Sequence, residues 1–156
     1  MKFTDFITKT AIIENLISTD KKATLEEMVK VLKGAYNLKN IKTDMIMNAL
    51  LKREKIGSTG IGNGVAVPHA KIDELTNVIA AFGRSQAGID FNAIDGAPVH
   101  LVFLILAPTN QADQNIQALQ RVSQAIRLPT FGKFLRDAKK ANDIFEIFKD
   151  TDEKLK

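Results

Sequence analysis

The chain contains no cysteine, and that absence excludes disulfide frameworks, cysteine-held zinc, thiol nucleophiles and iron–sulfur clusters. Histidine is scarce as well. Only His69 and His100 are present, and neither stands on a predicted helix with Asp or Glu three or four positions away, so no metal site is expected. Long apolar runs are missing: the longest, Leu101 to Ala107, is far short of the roughly 20 residues that cross a bilayer core. The first residues, MKFTDFITKTAIIENL, carry Asp5 and Glu14 and lack the apolar block of a signal peptide. A cytoplasmic protein without membrane insertion is the expectation. Charge of one sign is not concentrated either. With 22 Lys+Arg against 18 Asp+Glu the formal net charge is +4, spread along the chain, and the small group Lys52, Arg53 and Lys55 makes no nucleic-acid patch.

What is present is the composition of a globule, 45% apolar and 26% charged over 156 residues. That length fits one domain, 1–156, large enough to bury a core without staples. No Pro/Gly/Ser-rich linker or internal repeat divides it. The first third reads as helical. Thr24 and Glu27 have capping-box spacing, and Leu25, Met28, Val29, Leu32, Ala35 and Tyr36 form one apolar stripe. Thr43 can cap a second helix running to about Glu54. In the middle third, Gly57, Gly60, Gly62 and Gly64 mark a loop. Val65-Ala66-Val67 leads from it to Pro68, and strands are expected over Asn77–Gly83 and Val99–Leu106. The second has consecutive apolar residues, as a strand covered on both faces does. The last third returns to helix: one with Ile116, Leu119, Val122, Ser123 and Ile126, a short one capped by Thr130, and one capped by Asn142. Helices on both sides of a small sheet make an α/β sandwich.

Few residues can carry chemistry. His69 follows Pro68, whose ring fixes its own φ and biases Val67 to an extended conformation. An imidazole near pH 7 is largely neutral and keeps a lone pair on one nitrogen, so it can attack phosphorus. Around it Gly60, Gly62 and Gly64 offer backbone amides that an anion can approach closely, and Arg53, Ser58, Thr59 and Lys71 offer further donors. On pattern alone, a hydrogen-bonded structural histidine and a nucleophile are both open, because the glycine cluster matches no nucleotide fingerprint. His100 reads as a strand-entry residue with a satisfied ring, Asp73-Glu74 as a solvated turn, and Ser123 as a helix-face residue without triad partners.

The stretch Arg53 to His69, REKIGSTGIGNGVAVPH, closely resembles the active-site signature of type-2 IIA proteins of the phosphoenolpyruvate-dependent phosphotransferase system, the mannitol/fructose family. Its wording is most similar to the nitrogen-regulatory branch. Gly88-Ile89-Asp90-Phe91, Asp95-Gly96 and Val99 to Pro108 continue the match, which extends over about residues 5–150. The resemblance implies an α/β sandwich with a small mixed sheet between helices. It implies that His69 accepts a phosphoryl group from the small carrier HPr or its nitrogen-branch paralogue, with Arg53 steadying phosphate oxygens through its guanidinium fork. Ser58, Thr59, Gly60, Gly62, Gly64 and Pro68 would shape the phosphate loop. Sugar-branch members pass the group to a IIB component; nitrogen-branch members regulate target proteins by their phosphorylation state. No cofactor and no metal is implied. One departure stands out: Asn115 occupies the position of the family's second histidine. Its amide can donate to an oxyanion but cannot carry charge, so the phospho-form should be less stabilised. Loss of phosphotransfer, leaving a protein-binding module, is the alternative this departure raises.

Overall fold

Consecutive apolar side chains from Leu101 to Ala107 need cover on both faces, and the computed structural model, which describes residues 1–156, supplies it. Strand β6 (Val99–Pro108) is the middle of a six-stranded mixed sheet. Strand β5 (Ile79–Ile89) runs antiparallel to it, with Ala80 opposite Ile105 and Phe82 opposite Phe103. Beyond β5 lies β1 (Ile7–Ile13), parallel to it. On the other side of β6, β3 (Val65–Ala66) and β4 (His69–Ile72) both pair parallel, and β2 (Gly60–Gly62) closes that edge antiparallel to β3.

Helices α2 (Lys21–Ala35) and α3 (Thr43–Ile56) cover one face. Leu25, Met28, Leu32, Ile46 and Leu50 pack there with Val102, Leu104 and Leu106 of β6. The opposite face is aromatic. It is covered by α1 (Phe3–Phe6), α4 (Ala112–Ile126), α5 (Phe131–Asp137) and α6 (Ala141–Lys154), and Phe3, Phe82, Phe103, Phe131 and Phe148 meet there. Their ring centroids approach to 4.9 Å for Phe3–Phe148 and for Phe82–Phe103, within the range where aromatic pairs add to area burial. The α/β sandwich expected from the sequence is present.

Some local expectations change. Strand β1 falls in the part expected to be helical. Ile7 and Ala11, both buried and four apart, imitate helical spacing, whereas the β-branched residues between and after them favour a strand. Its ladder with β5 is interrupted between Ile7 and Ile12. The Tyr36 hydroxyl fills the gap, accepting from the Thr8 amide at 3.2 Å and lying 3.0 Å from the carbonyls of Phe6 and Ala80. Helix α2 starts earlier than the capping box predicted: Asp20 is the cap, accepting from the Ala23 amide at 2.8 Å. Thr24 is buried inside the first turn, and Glu27 accepts from the amides of Ile17 and Ser18 at 3.1 and 3.0 Å. Thr43 and Asn142 stand within their helices rather than at the caps, which are Lys42 and Lys140. Thr130 precedes α5 as expected, without a cap bond from its hydroxyl. Several polar residues near each helix start could cap it, and tertiary packing selects among them.

The feature that positions the site is a kink. Strands β3 and β4 follow one another along the same edge of β6, broken at Val67-Pro68. The Val67 amide turns to the Thr59 carbonyl at 2.9 Å, and Pro68 has no amide to give while its carbonyl accepts from Ile105 at 2.9 Å. The Val67 carbonyl is thereby presented to the next side chain, His69.

Candidate active site at His69

His69 opens β4, so its backbone is held by the ladder to Ile105 rather than lying in a free loop as the sequence suggested. Its Nδ1 lies 2.7 Å from the Val67 carbonyl. A carbonyl only accepts, so Nδ1 carries the proton and Nε2 keeps the lone pair. The ring is half-buried, and burial pushes its pKa below the usual histidine value. The bond to Val67 opposes that, the Arg53 charge adds to it, and the Glu54 charge opposes it. A neutral imidazole with a free Nε2 is therefore the resting state near pH 7.

That ring lines a cleft of about 210 Å³ with Arg53, Ser58, Thr59, Ile61, Val67, Leu119, Val122 and Ser123. Ile61, Val67, Leu119 and Val122 give it apolar walls. Arg53 sits in the last turn of α3, where a cation suits the helix dipole. Only one contact occupies its fork: Nη1 donates to the Gly57 carbonyl at 2.8 Å. The remaining donors can meet oxyanion oxygens.

The loop hydroxyls are not free donors, contrary to the expectation for Ser58 and Thr59. Ser58 Oγ donates to the Phe91 carbonyl at 2.7 Å and accepts from the Gly60 amide at 3.1 Å. The Thr59 hydroxyl donates to the Glu54 carboxylate, as does its amide at 3.2 Å. Glu54, only 5% exposed along its side chain, also pairs with Lys21 at 2.9 Å. These residues fasten the loop and place Thr59 beside the histidine. Gly60 allows a close approach, since a Cβ there would stand 2.9 Å from Ala93. Gly60, Gly62, Gly64, Pro68 and Lys71 do not wall the cleft. They set the hairpin and the kink that carry it.

Asn115 also lies outside the walls, one turn before Leu119 on α4. Its Oδ1 is buried without a hydrogen-bond partner. Sequence reasoning missed three contributors. Glu54 adjoins Arg53, and only the fold shows that it grips Thr59. The Val67 carbonyl leaves no sequence signal beyond the following proline. Ser123 lacks triad partners, yet it shares the Leu119 helix face by i, i+4 spacing and reaches the cleft. Its oxygen lies 3.5 Å from Arg127 Nη2.

A mixed open sheet between two helical layers is also the fold of solved IIA proteins. A crystal structure of the nitrogen regulatory protein IIA-Ntr from Neisseria meningitidis superposes with a TM-score of 0.84 at 26% identity, covering 92% of this chain and 96% of that one. IIA mannitol from Escherichia coli shares the fold, with a TM-score of 0.74 at 21% identity over 90% and 97% of the two chains. Residues 5–151 match the family described as "Phosphoenolpyruvate-dependent sugar phosphotransferase system, EIIA 2", and the chain belongs to that family. It is 35% identical over 147 residues to the nitrogen regulatory protein of Bradyrhizobium diazoefficiens, covering 94% of each. It is 39% identical over 152 residues to the fructose-specific EIIABC component of Bacillus subtilis, covering 97% of this chain but 24% of that relative's length. No helix is long and apolar enough to cross a membrane.

Proposed function

We propose that the protein is a cytoplasmic phosphocarrier and regulator in which His69 accepts a phosphoryl group from the phosphohistidine of an HPr-type carrier. The observation that carries this reading is the Nδ1 bond to Val67, which leaves Nε2 unprotonated at the mouth of a cleft beside the Arg53 fork. In the step, His69 Nε2 bonds to phosphorus as the donor's N–P bond breaks. The donor ring, protonated on its other nitrogen, departs as a neutral imidazole. The His69 ring becomes cationic, its Nδ1–H still held by Val67, and that bond strengthens with the charge. Arg53 neutralises phosphoryl oxygens, and apolar walls raise the worth of that contact by excluding water. Positioning and electrostatics supply most of such catalysis.

The carrier must bring its phosphohistidine to this mouth. Ile56, Ile61, Ile94 and Ile116 are exposed, by 81, 44, 77 and 51%. Ile61 lines the cleft, and the Ile94 amide bonds the Gly60 carbonyl, so these residues supply apolar contact area for a docking protein. Phosphorylation adds close to two negative charges here and changes which partner surface is welcome.

A second reading, a sugar-specific IIA component that hands the group to a IIB partner, is favoured by the 39% identity to the fructose-specific EIIABC component. The near full-length match to the nitrogen regulatory relative favours the regulator. Incubation with phosphoenolpyruvate, the general carrier enzymes and HPr should add one acid-labile phosphoryl group by intact mass. Absence of the adduct would reduce the protein to a binding module. Rapid discharge onto an added fructose-type IIB domain would select the sugar reading.

A further inference from the structure

Arg84 on β5 is 3% exposed and forms no ion pair. The three ion pairs of the protein, Lys21–Glu54, Lys149–Glu146 and Lys156–Glu153, lie elsewhere. Its guanidinium is held by carbonyls alone: Nε donates to Glu14 at 3.0 Å, and Nη1 to Leu135 at 3.0 Å, to Arg136 at 3.4 Å and to Ala138. Nη2 makes no hydrogen bond. Glu14, whose carbonyl Arg84 meets, turns its carboxylate to the Ala141 amide at 2.7 Å. Buried charges are normally paired, because an unpaired one is costly in a poorly solvated site.

Arg84 forms one wall of a recess of about 330 Å³, with Ser85, Gln86, His100 and Arg136 as the others and no Asp or Glu among them. His100 Nδ1 lies 2.8 Å from the Ser85 carbonyl, so it carries the proton and Nε2 is available. Ser85, 2% exposed, accepts at Oγ from the Gly88 amide at 3.0 Å, and its hydroxyl proton has no acceptor. Arg136 reaches in over Gly64, where φ is +75° and a Cβ would overlap its Nη2. One bond holds it there, from Nη2 to the Asn63 carbonyl at 3.2 Å. This recess shares no lining residue with the His69 cleft.

We propose that this recess binds a small phosphomonoester. Two guanidinium groups match the charge of a phosphate dianion; Nη2 of Arg84 and the unbonded nitrogens of Arg136 remain to donate to its oxygens. The Ser85 hydroxyl, whose proton is uncommitted, can donate to a further oxygen, and the volume sits at the low end of small-ligand sites.

Titration of the full chain with glycerol 3-phosphate, followed by amide NMR, should give saturable shifts at Ser85, Gly88 and His100 in the millimolar range or tighter. Inorganic phosphate should move the same amides, and His69→Ala should leave the response intact. Arg84→Gln disturbs a buried anchor, so the exposed Arg136→Gln carries the test. It should weaken binding about tenfold, the effect of losing one charge-assisted contact. Shifts confined to Ser58–His69, unchanged affinity in Arg136→Gln, or succinate binding as tightly as glycerol 3-phosphate would each overturn the proposal.

Discussion

The two histidines are alike in almost every local respect. His69 starts β4 and His100 lies at the start of β6, both rings are half-buried, and each places Nδ1 against a main-chain carbonyl, at 2.7 and 2.8 Å. Neither the tautomer nor the strand position distinguishes them. Their surroundings do. His69 Nε2 meets an apolar cleft with one half-free guanidinium, and burial holds its ring neutral. His100 sits with Arg84, Arg136 and Ser85 in a recess with no apolar wall. A nucleophile needs a lone pair and a dry approach for a partner's phosphoryl group; an anion cradle needs fixed positive charge. On the roles proposed above, the same side chain would serve either, according to what the sheet places beside it.

The broadest way to break this comparison is to remove each ring in turn. His69→Ala should abolish the acid-labile phosphoryl adduct seen by mass, and His100→Ala should leave it. A surviving adduct in the first variant would place the nucleophile elsewhere. Next in size is Arg53→Gln, which removes the charged donors at the cleft. Phosphoryl transfer from HPr should slow by about a hundredfold in rapid-quench measurements, the loss typical of one oxyanion-stabilising group. The same variant removes a neighbouring cation, so the His69 pKa, followed by ring NMR, should rise.

Glu54→Gln tests the support beneath the cleft. It leaves Lys21 without its buried partner and weakens the grip on Thr59; a loss of about 2 kcal/mol in urea unfolding is expected. Glu54 is also the charge that raises the His69 pKa, so the ring should titrate lower still in this variant. The pKa shift carries a stability signature of its own. His69 is depressed in the fold, so the unfolded chain binds more protons as the pH falls below about 6.5, and the folded state loses ground there. His69→Gln should flatten that part of the stability profile, whereas an unchanged slope would mean the ring is not the titrating group.

The smallest effect is expected from Asn115→His. Asn115 does not wall the cleft, but Leu119, one turn on, does, and a protonatable ring there should lengthen the life of the phospho-form several-fold by charge-assisted bonding. No change would show that the helix turn carrying residue 115 stays out of reach of the phosphoryl group.

Much of the fold was legible in periodicity. The β6 run, the Leu25–Leu32 stripe and the Leu119–Ile126 face all lie where the sequence put them, because each pattern reports burial within one element. Val67-Pro68-His69 was legible for the same local reason: proline removes one ladder bond and turns the carbonyl that His69 uses. Strand β1 was not, since its buried residues copy helical spacing. Neither was the role of Ser58 and Thr59. Their hydroxyls read as donors for a ligand, yet Phe91 and Glu54 take both.

Covalent order alone determined which segment carries the imidazole, the guanidinium and the glycine-rich hairpin, since these lie within one short stretch whose conformation is set by neighbours along the chain. Sheet order decided the rest. It brought Leu119, Val122 and Ser123 of α4 over His69, closed β1 against β5, and enclosed Arg84 with His100 and Arg136. Residues so far apart in the chain meet only after non-local pairing has overcome the entropy of closing the intervening loops, and no local pattern records which of them will share a cavity.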